Sequence, residues 1–131
     1  MNYTIDTEVL LKFYFGEDGA DEIEKYLTES REKKINLYIN VINLTEFYYI
    51  IYRMSPKLAE ERITDINAFN IKVVYVDNDS IWKKAALIKG KYSLSLADAY
   101  SVSTALFTKS TLLIGNDSKF DAIEEVKKIR I

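Results

Sequence analysis

The sequence predicts an α/β fold in which helices cover both faces of a short, mainly parallel β-sheet. Segments with helical periodicity alternate with short β-prone segments along the whole chain. The β-prone segments are continuous apolar runs, which are typical of strands that are buried on both faces. The chain has 131 residues, of which 48% are hydrophobic, and no internal repeat or linker divides it. We therefore expect a single α/β/α sandwich domain that spans residues 1–131.

Each strand of the predicted sheet has its own signal in the sequence. Four short apolar segments predict strands, and the end of the chain predicts a fifth. These strands are Asn2–Ile5, Ile35–Asn40, Ile71–Val76, Thr111–Gly115 and 125–131. The strands are short and follow helical segments, so we expect them to run parallel.

The helices between the strands are predicted from apolar residues that recur every three or four positions. The first helix starts at Thr7 and ends at the Gly16–Gly19 turn, and Pro56 fits the first turn of the fourth helix. The other segments are 20–34, 43–52, 53–69, 80–92 and 95–107. The helix at 43–52 is apolar on more than one face, which in so small a domain predicts that a second copy of the chain covers part of it. We therefore expect a homodimer.

The composition limits the chemistry that the chain can perform. It contains no Cys and no His. The absence of Cys excludes disulfides, thiolate metal sites and Cys nucleophiles. The absence of His removes the usual general base, the Ser-His-Asp triad and nearly every ordinary zinc site. An enzyme with this composition must use carboxylates, Lys, Tyr, hydroxyl groups or a bound metal.

Charge and hydropathy give expectations about partners and location. The net charge of −2 gives no basic field for tight binding of nucleic acid, although it is compatible with an enzyme that holds such a substrate briefly. The first residues lack the basic start and long apolar run of a signal peptide. The most apolar segment, VINLTEFYYIIY, is too short to span a bilayer. We expect a soluble, cytoplasmic protein.

Four acids differ from the others, most of which lie on solvated helix faces of mixed charge. Asp6 follows the first predicted strand and Asp117 follows the fourth, while Glu46 and Asp98 stand in segments that carry no other charge nearby. Helix capping is one interpretation of all four positions. The run from Ser95 to Asp98 fits a capping box, the run 43–46 comes close to one, and the two acids that follow strands stand where N-caps occur.

A shared metal site is the second interpretation of the same acids. In a parallel α/β sheet, every strand-to-helix junction lies along the carboxyl edge, where ligands bind. Asp6, Glu46, Asp98 and Asp117 can therefore converge there. Carboxylates that share a partly dry site repel one another, and a hard divalent cation such as Mg²⁺ or Mn²⁺ relieves that repulsion. Such a site favours in-line hydrolysis of phosphodiester bonds.

Four segments carry a resemblance to a known family. They are IDTEVLLKFYFGED, VINLTEFYYIIY, LSLADAYSVSTALF and GNDSKF, with Asp6, Glu46, Asp98 and Asp117 as their acids. In this order the segments resemble the motifs of PIN-domain ribonucleases, and among them of VapC-type toxins from toxin–antitoxin pairs. The resemblance implies an endoribonuclease that depends on Mg²⁺ or Mn²⁺, with these acids as catalytic residues and metal ligands. It also implies an RNA substrate, a homodimer and a cognate antitoxin that blocks the acidic site.

Two positions depart from the family pattern. Glu8 stands where the family often has Asn or Ser, and Gly115 stands where it commonly has Thr or Ser. Glu8 is either an exposed acid of the first helical turn or a group that approaches the metal. Asp117 occupies the position of the fourth acid, which is the most variable one in the family. Asn116 is the alternative residue for part of its role as a ligand.

Two other functions remain as alternatives, and two are excluded. A catalytically silent PIN-fold module that binds a partner protein is one alternative, and a solitary PIN nuclease of RNA processing is another. An aspartyl-phosphate enzyme requires Asp-x-Asp after the first strand, whereas the chain has Asp6-Thr7-Glu8. The chain also has no Gly-rich Lys-Ser/Thr motif, so we exclude a P-loop.

Overall fold

The structure is a computed structural model that describes all 131 residues. It contains five β-strands, six α-helices and one short 3₁₀ helix. In chain order these are β1 (Asn2–Ile5), α1 (Thr7–Tyr14), α2 (Ala20–Arg31), β2 (Asn36–Asn40), α3 (Val41–Met54), α4 (Pro56–Ala68), β3 (Lys72–Val74), α5 (Asp79–Lys91), α6 (Leu96–Phe107), β4 (Thr111–Ile114), the 3₁₀ helix (Ser118–Phe120) and β5 (Lys128–Arg130). The predicted α/β alternation is confirmed. The third strand is shorter than predicted, and α3 extends beyond the predicted helix at both ends.

The five strands form one fully parallel sheet in the order β3-β2-β1-β4-β5. The chain builds outward from β1 through β2 to β3, and then continues on the other side of β1 with β4 and β5. The direction of winding therefore changes between β1 and β4. In open α/β sheets the carboxyl ends of the two strands at such a switch point border a crevice where ligands bind.

Helices cover both faces of the sheet, as predicted. On one face, α1 to α4 pack against Ile5, Leu37, Ile39 and Leu113 in the larger hydrophobic core. On the other face, α5 and α6 pack against Leu112 and Ile114 in the smaller one. Successive residues of a strand point to opposite faces. Ile5 therefore enters the larger core, whereas its neighbour Asp6 faces α6.

Helix α3 is only partly covered by the rest of the chain. Phe47 and Ile51 are buried, but Tyr49, Tyr52 and Met54 are 43%, 50% and 61% exposed. This distribution agrees with the apolar pattern from which we expect a dimer, and the dimer stays a prediction. None of the six helices combines the length and the apolar character that are needed to cross a membrane.

Candidate active site

Asp6 lies at the carboxyl end of the central strand, directly at the switch point. Its side chain does not cap α1, although the residue occupies the N-cap position, so that capping prediction is wrong. The residue is 1% exposed. Its Oδ1 accepts a hydrogen bond of 2.7 Å from Ser101 Oγ on α6, and its Oδ2 is buried without any hydrogen-bond partner. A buried carboxylate oxygen is costly to leave unpaired.

Burial also changes the acidity of Asp6. Removal from water raises its pKa to about 6, against the opposing effects of the Ser101 hydrogen bond and the positive charge of Lys119. The nearby charges of Asp98 and Glu8 add to the increase. An acid of this kind gains strongly from a cation placed at its free oxygen.

Asp98 lies in the first turn of α6 and is 7% exposed. The predicted capping box is confirmed: the backbone N–H of Asp98 donates to Ser95 Oγ at 3.1 Å, and Asp98 Oδ2 accepts from the Ser95 N–H at 3.3 Å. The second carboxylate oxygen is not used by the cap. It lies 3.0 Å from the Lys119 ammonium nitrogen. Capping therefore fixes Asp98 and leaves one of its oxygens directed at a cation.

Lys119 lies among the acids of the site, and it is a residue that sequence reasoning missed. It lies in the 3₁₀ helix after β4, and its Nζ is 3.0 Å from Asp98 Oδ1 and 3.8 Å from Glu8 Oε2. Burial lowers the pKa of Lys119, but the charges of the surrounding carboxylates outweigh that effect and raise it above its ordinary value. The only sequence signal was a basic residue two places after Asp117 in GNDSKF.

Glu8 and Gly115, the two departures from the family pattern, contact each other. A Cβ added to Gly115 would lie 2.7 Å from both Cδ and Oε1 of Glu8. The Glu8 side chain therefore occupies the space that any larger residue at position 115 would need. From there its carboxylate faces Lys119, so Glu8 belongs to the acidic group and is not a freely solvated acid.

The side chain of Glu46 makes no hydrogen bond or ion pair, and the residue is half-buried in the second turn of α3. The helix starts earlier than predicted, because Asn40 is its N-cap and accepts a hydrogen bond from the Ile42 N–H at 2.8 Å. The suggested capping box at 43–46 is therefore wrong. This leaves the Glu46 carboxylate without a structural role inside the chain.

Asp117 is exposed and caps the 3₁₀ helix, as the capping interpretation predicts. Its Oδ1 accepts a hydrogen bond of 2.9 Å from the Lys119 N–H. Its carbonyl oxygen accepts a hydrogen bond of 3.0 Å from Arg130. These contacts fix the turn that carries Lys119 toward the site.

Asn43 links α3 to α1 and α6, and sequence reasoning missed it as a site residue. Its Nδ2 donates to the carbonyl of Ala97 in α6 at 3.0 Å, and its own carbonyl accepts from Thr7 Oγ1 in α1 at 3.1 Å. Its side-chain Oδ1 is buried without a partner. Asn43 Oδ1 and Asp6 Oδ2 are the chain's only buried side-chain polar atoms in this condition, and both are acceptors.

The oxygen donors of the site fit a hard divalent cation. No three acids are gathered closely enough to hold a metal ion as the side chains stand. The unpaired Asp6 oxygen and the Asp98 oxygen that faces Lys119 are nevertheless ligands of the type that Mg²⁺ and Mn²⁺ prefer. Glu46 is on the helix that follows β2 and Asp117 on the turn that follows β4, so both start from the same edge of the sheet.

The chain matches the family model of the PIN domain over residues 3–126. No individual curated protein matches it significantly. The matched range includes Asp6, Glu46, Asp98 and Asp117.

Several solved structures have the same fold. One is VapBC2 from Rickettsia felis bound to a DNA fragment from their promoter, with 16% identity, a TM-score of 0.76 and coverage of 100% of this chain and 99% of that chain. A second is a toxin–antitoxin complex from Klebsiella pneumoniae, with 20% identity, a TM-score of 0.70 and coverage of 95% and 94%. A third is VapBC-1 from nontypeable Haemophilus influenzae, with 17% identity, a TM-score of 0.69 and coverage of 99% and 98%. At these identities the likeness is one of fold.

Proposed function

The chain belongs to the PIN domain family, and from this membership we propose that it is a metal-dependent endoribonuclease and the toxin of a toxin–antitoxin pair. Its substrate is RNA, and its cofactor is Mg²⁺ or Mn²⁺. The catalytic residues and metal ligands are Asp6, Glu46, Asp98 and Asp117, with Asp6 and Asp98 as the central pair.

The observation that carries this proposal is the unpaired oxygen of Asp6. A buried carboxylate with one free oxygen lies at the switch point of the sheet, close to a second carboxylate that is directed at a positive charge. A catalytically silent module has no need for such a costly arrangement. A site that binds a cation does need it, because the cation completes the coordination of both acids.

The residues of the proposed site have distinct roles. Ser101 orients Asp6 through its hydrogen bond to Oδ1, and the capping box holds Asp98 in one rotamer. Glu46 and Asp117 complete the set of oxygen ligands from the two flanking strand ends. When bound, a divalent cation supplies Lewis acidity at the scissile phosphodiester and promotes deprotonation of the attacking water. The acids need no His for this chemistry.

The antitoxin part of the proposal is supported by the structural neighbours, which are toxin–antitoxin complexes. The acids at this edge of the sheet outnumber the bases, and two of them already pair with the ammonium group of Lys119. A basic side chain of a partner protein suits such an acidic group and would block it. The solitary RNA-processing nuclease remains the second candidate, because its site would have the same acids.

The test is cleavage of single-stranded RNA by the purified chain with Mg²⁺, Mn²⁺ or EDTA, beside the variant Asp98→Asn. We expect cleavage that requires metal and is abolished in the variant. The variant should fold, because Asn can still accept the capping hydrogen bond. Glu125→Gln is the control, since that acid pairs with Lys91 and forms no ion pair with Lys119.

The outcomes separate the candidate functions. Equal inactivity of folded wild type and Asp98→Asn across a broad panel of RNA substrates would support the silent module. Metal-dependent cleavage together with growth arrest on expression supports a toxin, whereas cleavage without growth arrest supports the solitary nuclease.

A further inference from the structure

We propose that Lys119 is an internal counter-ion of the acidic site, and that a divalent cation must displace its ammonium group from Asp98 in order to bind. The inference rests on the proposed function for the presence of a cation site. It adds that the Lys119 ammonium group sets the affinity of the site for the cation.

The ammonium group of Lys119 lies against the acids of the site. Lys119 is the only basic residue that forms an ion pair with acids of the site, at 3.0 Å from Asp98 and 3.8 Å from Glu8. The side chains of Lys119 and Asp98 are 25% and 10% exposed. Solvent and salt therefore screen this pair less than they screen a pair on the open surface.

The two carboxylate oxygens of Asp98 have different partners. Oδ2 accepts the capping hydrogen bond from Ser95, and Oδ1 faces Lys119. Neither oxygen is free as the side chains stand, in contrast to Asp6, whose Oδ2 has no partner. Because the capping hydrogen bond holds Oδ2, Oδ1 is the oxygen that can bind a cation. It becomes available when the ammonium group moves away.

The contact of Glu8 with Gly115 helps to position Lys119. The Glu8 side chain lies over Gly115, in space that a Cβ at position 115 would enter. There it supplies a second carboxylate to Lys119. Two departures from the family pattern are therefore explained together, since Gly115 leaves room for the acid that helps to hold the lysine over the site.

The test measures Mn²⁺ binding to the full chain without RNA, by electron paramagnetic resonance of the free ion. The informative variant is Lys119→Met, which keeps an unbranched side chain one atom shorter and removes its charge. Its matched control is Lys84→Met, which removes the charge of an exposed lysine on α5 that forms no ion pair. We expect Lys119→Met to bind Mn²⁺ about tenfold more tightly than wild type, and Lys84→Met to bind as wild type does.

A second measurement examines the counter-ion without any metal. In EDTA, Lys119→Met should lower the Tm by about 3–6 °C, because the remaining carboxylates repel one another. In the background Glu8→Gln the same substitution should lower the Tm less, since one of the repelling charges is gone.

The results discriminate between this inference and the proposed function. If wild type and Lys119→Met bind Mn²⁺ equally while Asp98→Asn does not bind it, the site stands and the counter-ion inference is overturned. Unchanged Tm of Lys119→Met in EDTA also overturns it. If Asp98→Asn binds Mn²⁺ as wild type does, the proposed metal site itself is wrong.

Discussion

The surroundings of the Asp6 carboxylate could only be suggested by the position of this residue in the sequence. The sequence indicates an acid after the first strand, which suits either a helix cap or a ligand. The structure excludes the cap, because the carboxylate accepts from Ser101 with one oxygen and leaves the other unpaired, and the ligand role stays a prediction. Its burial depends on contacts with α6, about a hundred residues away, which local sequence does not reveal.

The raised pKa of Asp6 predicts how the metal-free protein responds to pH. The carboxyl has a pKa of about 6 in the folded chain and an ordinary value of 3.8. Between these values the folded state binds the proton more tightly than the unfolded state does, so the free energy of unfolding falls as pH rises from 4 to 6. The change attributable to Asp6 is up to about 3 kcal/mol.

Denaturant unfolding in EDTA between pH 4 and pH 7 measures this effect. The free energy of unfolding of wild type minus that of Asp6→Asn should decrease with rising pH and level off above pH 6. The subtraction removes the contributions of other titrating acids such as Glu125, whose pKa is lowered chiefly by its hydrogen bond with Tyr92. A difference that stays constant over this range would contradict the assignment of the raised pKa to Asp6.

Helix α6 has a capping box at its start and buried serines further along. In the sequence both lie within one apolar segment that is rich in hydroxyl groups. The capping box at its start was readable, because that pattern is local. The opposite holds for α3, where Asn40 caps the helix and the apparent box at 43–46 has no role. Capping motifs thus predicted the start of α6 well and the start of α3 poorly, since a box-like pattern does not itself fix where a helix begins.

The buried serines of α6 allow the positioning role of Ser101 to be tested. Ser101 and Ser103 are both buried and each donates one hydrogen bond, to Asp6 and to the carbonyl of Ile81 respectively. Either substitution to Ala should lower the free energy of unfolding by about 1–2 kcal/mol. Only Ser101→Ala should also weaken Mn²⁺ binding, by roughly tenfold, because it alone releases a ligand.

Chemical denaturation and Mn²⁺ titration of both variants provide the comparison. A loss of Mn²⁺ affinity in Ser103→Ala as large as that in Ser101→Ala would indicate a general effect of loosening α6. The specific role of Ser101 in orienting Asp6 would then be refuted.

For the whole molecule, the sequence predicted the layers and the parallel sheet but not the order of the strands. Apolar runs and alternating helices identify the fold class, since both follow from local patterns. The switch point between β1 and β4 follows from the strand order, which is set by packing across the whole chain. The contacts of Lys119 with Asp98 and of Glu8 with Gly115 arise only from that arrangement, so no motif could reveal them.

The exposed apolar residues of α3 predict that two copies of the chain associate through this helix. Tyr52 is 50% exposed and stacks on Tyr48 at 6.0 Å between ring centroids. Tyr52→Glu should convert a dimer into a monomer, because a charge would have to be buried in the interface. Leu87→Glu on α5 is the control, since Leu87 is 66% exposed and lies on another helix.

Light scattering coupled to size-exclusion chromatography measures the mass of each variant. We expect the wild type and Leu87→Glu to be dimers and Tyr52→Glu to be a monomer. If the wild type is monomeric at its highest soluble concentration, the prediction of a dimer is wrong. The assignment of the acidic site is not affected by that result.

Anomalous diffraction from crystals of the protein soaked in Mn²⁺ shows directly whether the acids at this edge of the sheet bind a divalent cation. We expect a peak within coordination distance of Asp6 Oδ2 and Asp98 Oδ1, with the Lys119 ammonium group moved away from Asp98. The contradicting result is a saturating soak that gives no peak at this edge of the sheet, with Lys119 still paired to Asp98. The acids would then form a structural ion-pair group, and the chain would not bind a catalytic metal there.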